Sequence, residues 1–256
     1  MTTIDVPGAR LDATIEGEGP AVIALHGLTS SRASDRAIGF DWTSALRATH
    51  RVVTYDARGH GRSTGRPEPD DWQWSALAGD LLAVADAVSP AEPVAAIGAS
   101  MGCATILHAA VRAPQRFGRL VLVIPPTAWS TRAEQTAAYE QGARLLEQYG
   151  AERFRAMQPQ EESPPALGDN GFPDPDLDEQ LWPSILRGAG RSDLPEPHAL
   201  AGLPQPTLIL AWVGDPGHPL STAERLADLI PDAHLKLASD PDDLAAWPGL
   251  AADFLR

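Results

Sequence analysis

The sequence predicts an α/β fold built on a doubly wound, mostly parallel sheet covered on both faces. Three observations predict it. Six short runs are apolar and β-rich, and most are too continuously apolar to be half exposed, as expected of strands buried on both sides. Helical patterns alternate with them. A glycine-flanked serine stands where one of these runs passes into a helical pattern.

The runs are 21–27 (AVIALHG), 51–56 (RVVTYD), 94–100 (VAAIGAS), 119–125 (RLVLVIP), 206–215 (PTLILAWVGD) and 233–239 (AHLKLAS). Helices are expected at about 71–89, 101–113, 222–230 and 243–255. Ahead of them, segments near 3–6 and 11–16, separated by a turn containing Pro7-Gly8-Ala9, predict an antiparallel edge hairpin. Residues 128–157 carry one or two amphipathic helical patterns. Residues 158–206 then hold 10 of the 24 prolines. A tract this irregular inside a domain is either a solvated linker or a functional cover. The expectation is a core at 1–126 and 204–256 with a helical lid insertion at 127–203, lined by Trp129, Phe154, Trp182 and Leu186.

Composition narrows the function classes. The 256 residues carry 34 acidic and 20 basic side chains, a formal net charge of −14. Such a surface repels phosphate backbones and anionic lipid, so neither nucleic acid nor membrane is an expected partner. No apolar run reaches the length of a membrane span, and the opening MTTIDVPGAR lacks the basic-then-apolar pattern of a secretory signal. Cys103 is the only cysteine, which excludes an internal disulfide, and no Cys/His cluster suggests a metal. A cytoplasmic protein without cofactor is the expectation. Oligomeric state is left open.

The chemistry concentrates in Gly98-Ala99-Ser100-Met101-Gly102. A serine on a sharp strand-to-helix turn exposes its hydroxyl at a helix N-terminus, where backbone N–H groups favour developing negative charge. The flanking glycines remove side chains that would collide with nearby backbone. Two further turns follow strands: LHGLTSS at 25–31 and YDARGHGRS at 55–63.

In the order and spacing of these motifs the chain resembles the α/β-hydrolase superfamily. The resemblance implies that fold, with Ser100 as nucleophile and the N–H groups of Leu28 and Met101 as oxyanion hole. It also implies Asp215, ending the run at 206–215, as the acid. Asp56, Arg58 and His60 match a motif that shapes a loop, and His26 one that braces the oxyanion turn, packed neutral beneath it. Cys103 reads as a small buried filler.

The family order is serine, acid, histidine, with the histidine after the last strand. Here that loop, 237–250 (LASDPDDLAAWPGL), contains none, and Asp242-Asp243 stand in its place. A carboxylate at Asp243 would accept a proton only weakly unless burial raised its pKa. Two histidines follow Asp215. His234 opens a strand, which puts it roughly 16 Å from the ligand-binding edge. His218, three residues after Asp215 in DPGHP, either pairs with Asp215 and reaches Ser100 or merely packs in a proline-bracketed turn. His198 could approach from the lid, while His50 and His108 have structural settings. The leading expectation is a serine hydrolase of a small ester, thioester or lactone, its substrate apolar or aromatic. The alternatives are a non-hydrolytic enzyme of the same fold (C–C cleavage, cyclisation, condensation) and a ligand-binding protein with decayed catalysis.

Overall fold

The computed structural model describes residues 2–158 and 163–256; residues 159–162 of the proline-rich tract lie outside the described residues. The chain opens with β1 (Thr2–Val6) and β2 (Ala9–Glu16), joined at Gly8, whose φ of +80° turns the hairpin. Then come β3 (Ala21–Leu25), α1 (Arg32–Ala37), α2 (Trp42–Leu46), β4 (Arg51–Tyr55), α3 (Trp74–Val88), β5 (Val94–Ala99), α4 (Met101–Arg112) and β6 (Phe117–Val123). The insertion contributes α5 (Arg132–Met157), α6 (Trp182–Gly190) and α7 (Pro197–Leu200). β7 (Thr207–Trp212), α8 (Leu220–Leu229), β8 (Ala233–Ala238) and α9 (Pro241–Leu255) complete the order.

The eight strands form one sheet in the order β1-β2-β4-β3-β5-β6-β7-β8. β1–β2 and β2–β4 are antiparallel, and every pair from β4 to β8 is parallel. Alternation of side chains along the buried strands divides the core in two. Ile23 and Leu25 of β3, Leu120 and Leu122 of β6 and Ile209 of β7 face α3, α4 and α8. Val22 and Ala24, Val121 and Val123, and Leu208, Leu210 and Trp212 face α2 and α9. Strand order reverses between β3 and β5, and a crevice opens at the carboxyl ends of strands at such a switch point. Gly27-Leu28 leaves β3 there and Ser100 leaves β5.

The insertion between β6 and β7 crosses this end of the sheet. Asp176 N–H donates to Thr29 O (2.9 Å), Gly61 N–H to Asp176 O (2.9 Å) and Asp178 N–H to Gly59 O (2.9 Å), tying it to the loops after β3 and β4. Two helices inside the proline-rich tract, α6 and α7, start at prolines in the first turn, where the missing N–H costs nothing. α5 is interrupted at Gly150 (φ +78°). Among the described residues no helix is long and apolar enough to cross a membrane.

Candidate active site

β5 delivers Ser100 on a turn with φ +49° and ψ −107°, a left-handed conformation that a non-glycine residue holds only at a cost of about 1–3 kcal/mol. Close packing on both sides maintains it. A Cβ at Gly98 would lie 2.5 Å from the Gly102 carbonyl, and one at Gly102 would lie 2.7 Å from Leu25 O. Both glycines are therefore needed for the strand, the turn and α4 to meet. Ser100 N–H donates to Val123 O of β6 (2.9 Å), and Ser100 O accepts from Ala104 N–H (3.1 Å).

The loop after β7 supplies both other polar groups. Asp215 Oδ1 accepts from Gly217 N–H (2.9 Å) and Asp215 O from His218 N–H (3.2 Å), so 215–218 is a tight turn built on the aspartate's own side chain. That turn directs the imidazole back over its own acid. His218 Nδ1–H donates to Asp215 Oδ2 at 2.7 Å, and Ser100 Oγ–H donates to His218 Nε2 at 2.8 Å. Burial raises the Asp215 carboxyl, but hydrogen bonds from His218, Trp212 and Gly217 outweigh it and hold the group below the usual carboxylate range. An ionised Asp215 can only accept, so Nδ1 carries a proton, and in the neutral ring Nε2 then faces Ser100 with its lone pair. Thr127 N–H donates to Gly217 O (3.2 Å) and anchors the turn to the segment after β6.

The opposite wall is the turn after β3. A Cβ at Gly27 would lie 3.5 Å from Ser100 Cβ, which sets this backbone directly against the serine. Among the described residues the amides of Leu28 and Met101 have no protein acceptor. Buried His26 braces the turn: its Nδ1–H donates to Gly27 O (2.7 Å) and its Nε2 accepts from Ala57 N–H (2.8 Å). Burial lowers the His26 pKa, which keeps the ring neutral. His60 is bound in the same manner, between Arg58 O (2.8 Å) and Thr29 N–H (3.2 Å), and burial pushes it down to about 3. Asp56 accepts from Arg32 Nε–H and from the amides of Arg32 and Arg62, and Arg58 pairs with Asp80 at 2.6 Å. These residues hold loops together, and among the described residues none of them is hydrogen-bonded to Ser100. Cys103 is fully buried and its thiol is pushed up by burial.

Ser100, His218 and Asp215 thus converge from two loops 118 residues apart in sequence. His234 stays at the start of β8, exposed and 3.6 Å from Asp232. His108 Nε2 donates to Asp193 O, His50 contacts Thr49, and His198 lies on α7. Asp243 sits in the first turn of α9: its amide donates to Asp240 Oδ1 (2.9 Å), while its carboxylate accepts from Ser239 N–H (2.9 Å). It caps a helix. The sequence reading missed Trp212, whose Nε1–H donates to Asp215 Oδ2 at 2.9 Å. It also missed Gly217, although the spacing Asp-x-Gly-His is itself the signal of a side-chain-closed turn.

A family model described as alpha/beta hydrolase fold matches residues 20–145. Over 221 residues the chain is 31% identical to a protein of Caulobacter sp. (strain K31) named "Putative carbamate hydrolase RutD", a match covering 80% of this chain and 75% of that one. It is 32% identical over 145 residues to a protein of the same name from Agrobacterium fabrum, covering 56% of this chain and about half (52%) of its relative's length. In three dimensions it resembles a crystal structure of a hydrolase from Pseudomonas aeruginosa PA01 with a TM-score of 0.73 and 25% identity, over 99% of this chain and 97% of that one. The glycine-flanked turn, the reversal of strand order beside it and the relative matched along most of its length agree: the chain belongs to the α/β-hydrolase fold family.

Proposed function

We propose that the protein is a serine-type hydrolase of a small-molecule ester, thioester or lactone, acting through an acyl-enzyme on Ser100. The observation that carries this reading is the 2.8 Å contact between His218 Nε2 and Ser100 Oγ, with Asp215 bonded to the far nitrogen of the same ring. A serine hydroxyl without a base is a poor nucleophile, and His218 provides one. Oγ attacks the carbonyl carbon as its proton passes to Nε2. The oxyanion is held by the N–H groups of Leu28 and Met101, which have no other acceptor among the described residues. The leaving oxygen, sulfur or nitrogen takes the proton back from Nε2, and water then releases the acyl group by the same path in reverse. Asp215 stays ionised, fixes the tautomer and stabilises the imidazolium. The chain's own groups and water suffice, so no cofactor is required.

Residues 127–203 act as the lid in this reading. Leu28 packs against a cluster of Ala143, Leu146, Phe154, Trp182 and Leu186, which brings apolar surface to the oxyanion turn and suits an apolar or aromatic substrate. The name carried by the Caulobacter and Agrobacterium relatives adds carbamates, whose acyl carbon is open to the same attack, to the panel worth testing.

The test uses short p-nitrophenyl esters, a thioester, a γ-lactone and a carbamate, together with a fluorophosphonate probe. Turnover of at least one substrate is expected, with probe mass on the peptide containing Ser100. Ser100→Ala should lower kcat by a factor on the order of 10⁴ to 10⁶. A protein that turns over none of them and takes up no probe at Ser100 overturns the reading.

A further inference from the structure

We infer that Trp212 is a positioning residue for the acid–base pair, holding the Asp215 carboxylate through its indole N–H; this rests on the reading of Ser100, His218 and Asp215 above. The two oxygens of Asp215 accept three hydrogen bonds. Two come from its own turn, Gly217 N–H on Oδ1 and His218 Nδ1–H on Oδ2. The third, from Trp212 Nε1–H at 2.9 Å, comes from the last residue of β7, before the turn begins. It alone ties the carboxylate to the sheet.

The indole is held where it must be. Its plane stacks at 6.0 Å on Trp247 of α9 and at 6.2 Å on Phe40, and Phe172 meets it edge-on at 5.8 Å. The His218 ring lies against it edge-on at 6.2 Å and 80°. Burial by itself does not give an indole N–H a partner here: among the described residues Trp247, stacked on the same ring, has a buried Nε1 with no acceptor, as do Trp74 and Trp182. Trp212 bonds the one carboxylate that bonds His218.

Two effects follow. The bond limits rotation of the carboxylate, and with it the ring that reaches Ser100. It also draws charge from the oxygen that faces the imidazolium, so its loss leaves a more basic partner and favours the protonated ring. The groups acting on Asp215 are His218, Trp212 and the Gly217 amide. The neighbours packed on the turn, Pro165 at Gly214 and Thr127 at Gly217, carry no charge.

Trp212→Phe removes the donor and keeps an aromatic ring in the stack. We expect kcat/KM to fall about ten- to a hundred-fold, the usual worth of a hydrogen bond to a charged group. KM should stay within about two-fold, since the indole N–H touches no substrate, and the acid limb of the kcat/KM profile should move to higher pH. The Nδ1–H proton resonance of His218 should shift or broaden. Should Trp212→Phe fail to fold, the same measurements are made with a 3-benzothienylalanine at position 212, which keeps the bicyclic shape and lacks the N–H. An unmoved acid limb with an unmoved Nδ1–H signal overturns the inference, even where thermal stability drops. If the natural protein hydrolyses nothing, the functional reading fails separately, and the Nδ1–H signal still decides whether the indole holds the acid.

Discussion

Two loops at the same edge of the sheet differ in what they bring to Ser100. The loop after β7, residues 213–219, is a turn closed by Asp215's own side chain, and it presents both acid and imidazole to Ser100. The loop after β8 is where the family resemblance leads one to expect the histidine. Here it is hardly a loop: β8 ends at Ala238, Asp240 caps, and α9 starts at Pro241. The space above it is filled by the segment 164–168, whose Ala166 and Leu167 are buried with α9 and whose Gly168 packs against Pro241. That edge is occupied by packing, whereas His218 reaches the serine from the loop after β7. What the geometry fixes is a relation between three side chains in space, and here the loop after β7 supplies two of them.

The sharpest way to break this contrast is at His218. His218→Ala should lower kcat on the best ester by a factor on the order of 10⁴ or more, because removal of a triad base leaves only binding and the oxyanion amides. His234→Ala and His198→Ala should stay within about two-fold, and a large loss in either would move the base elsewhere. Next in size is Asp215→Asn, which keeps the shape of the turn but allows the wrong tautomer at Nδ1. A fall of about 10³- to 10⁴-fold is expected, with KM little changed. The smallest effect tests the other loop. Asp240→Ala removes a helix cap and should cost about 1 kcal/mol in denaturant unfolding while kcat stays unchanged. Loss of activity at constant stability would mean that the loop after β8 is catalytic after all.

Much of this was legible in the amino-acid order. The strands were legible because burial on both faces leaves an unbroken apolar run, as in 21–25 and 120–123. Ser100 was legible because so few turns need glycine on both sides, and Gly98 and Gly102 are pressed against backbone. The short helices α1 and α2 escaped because five or six residues cannot display a helical period. Their sole signals are the caps, Ser31 bonding Ser34 N–H and Asp41 bonding Ser44 N–H. α6 and α7 hid among prolines that in fact mark their first turns. His218 was left open between a base and a packing role for a related reason. Its direction depends on side-chain-to-backbone bonds within a four-residue turn, and periodicity carries no information about those. Trp212 lay further from view still, since a tryptophan ending a buried strand looks like any other core residue until its N–H is seen to have an acceptor.

Placing acid and base three residues apart has a consequence for how the machinery could be transplanted or lost. In a relay drawn from three distant loops, each member can drift independently. Here the short segment from Trp212 to Pro219 carries the imidazole, the carboxylate, the amide that closes the turn and the indole at its root, although Thr127 and the rings of Phe40 and Trp247 hold it in place. One insertion or deletion inside those eight positions would silence the whole relay at a stroke. By the same token, a host sheet of this architecture with a nucleophilic serine but no histidine would receive both missing partners from this one segment, provided that it also supplied the aromatic stack and the amide that hold it.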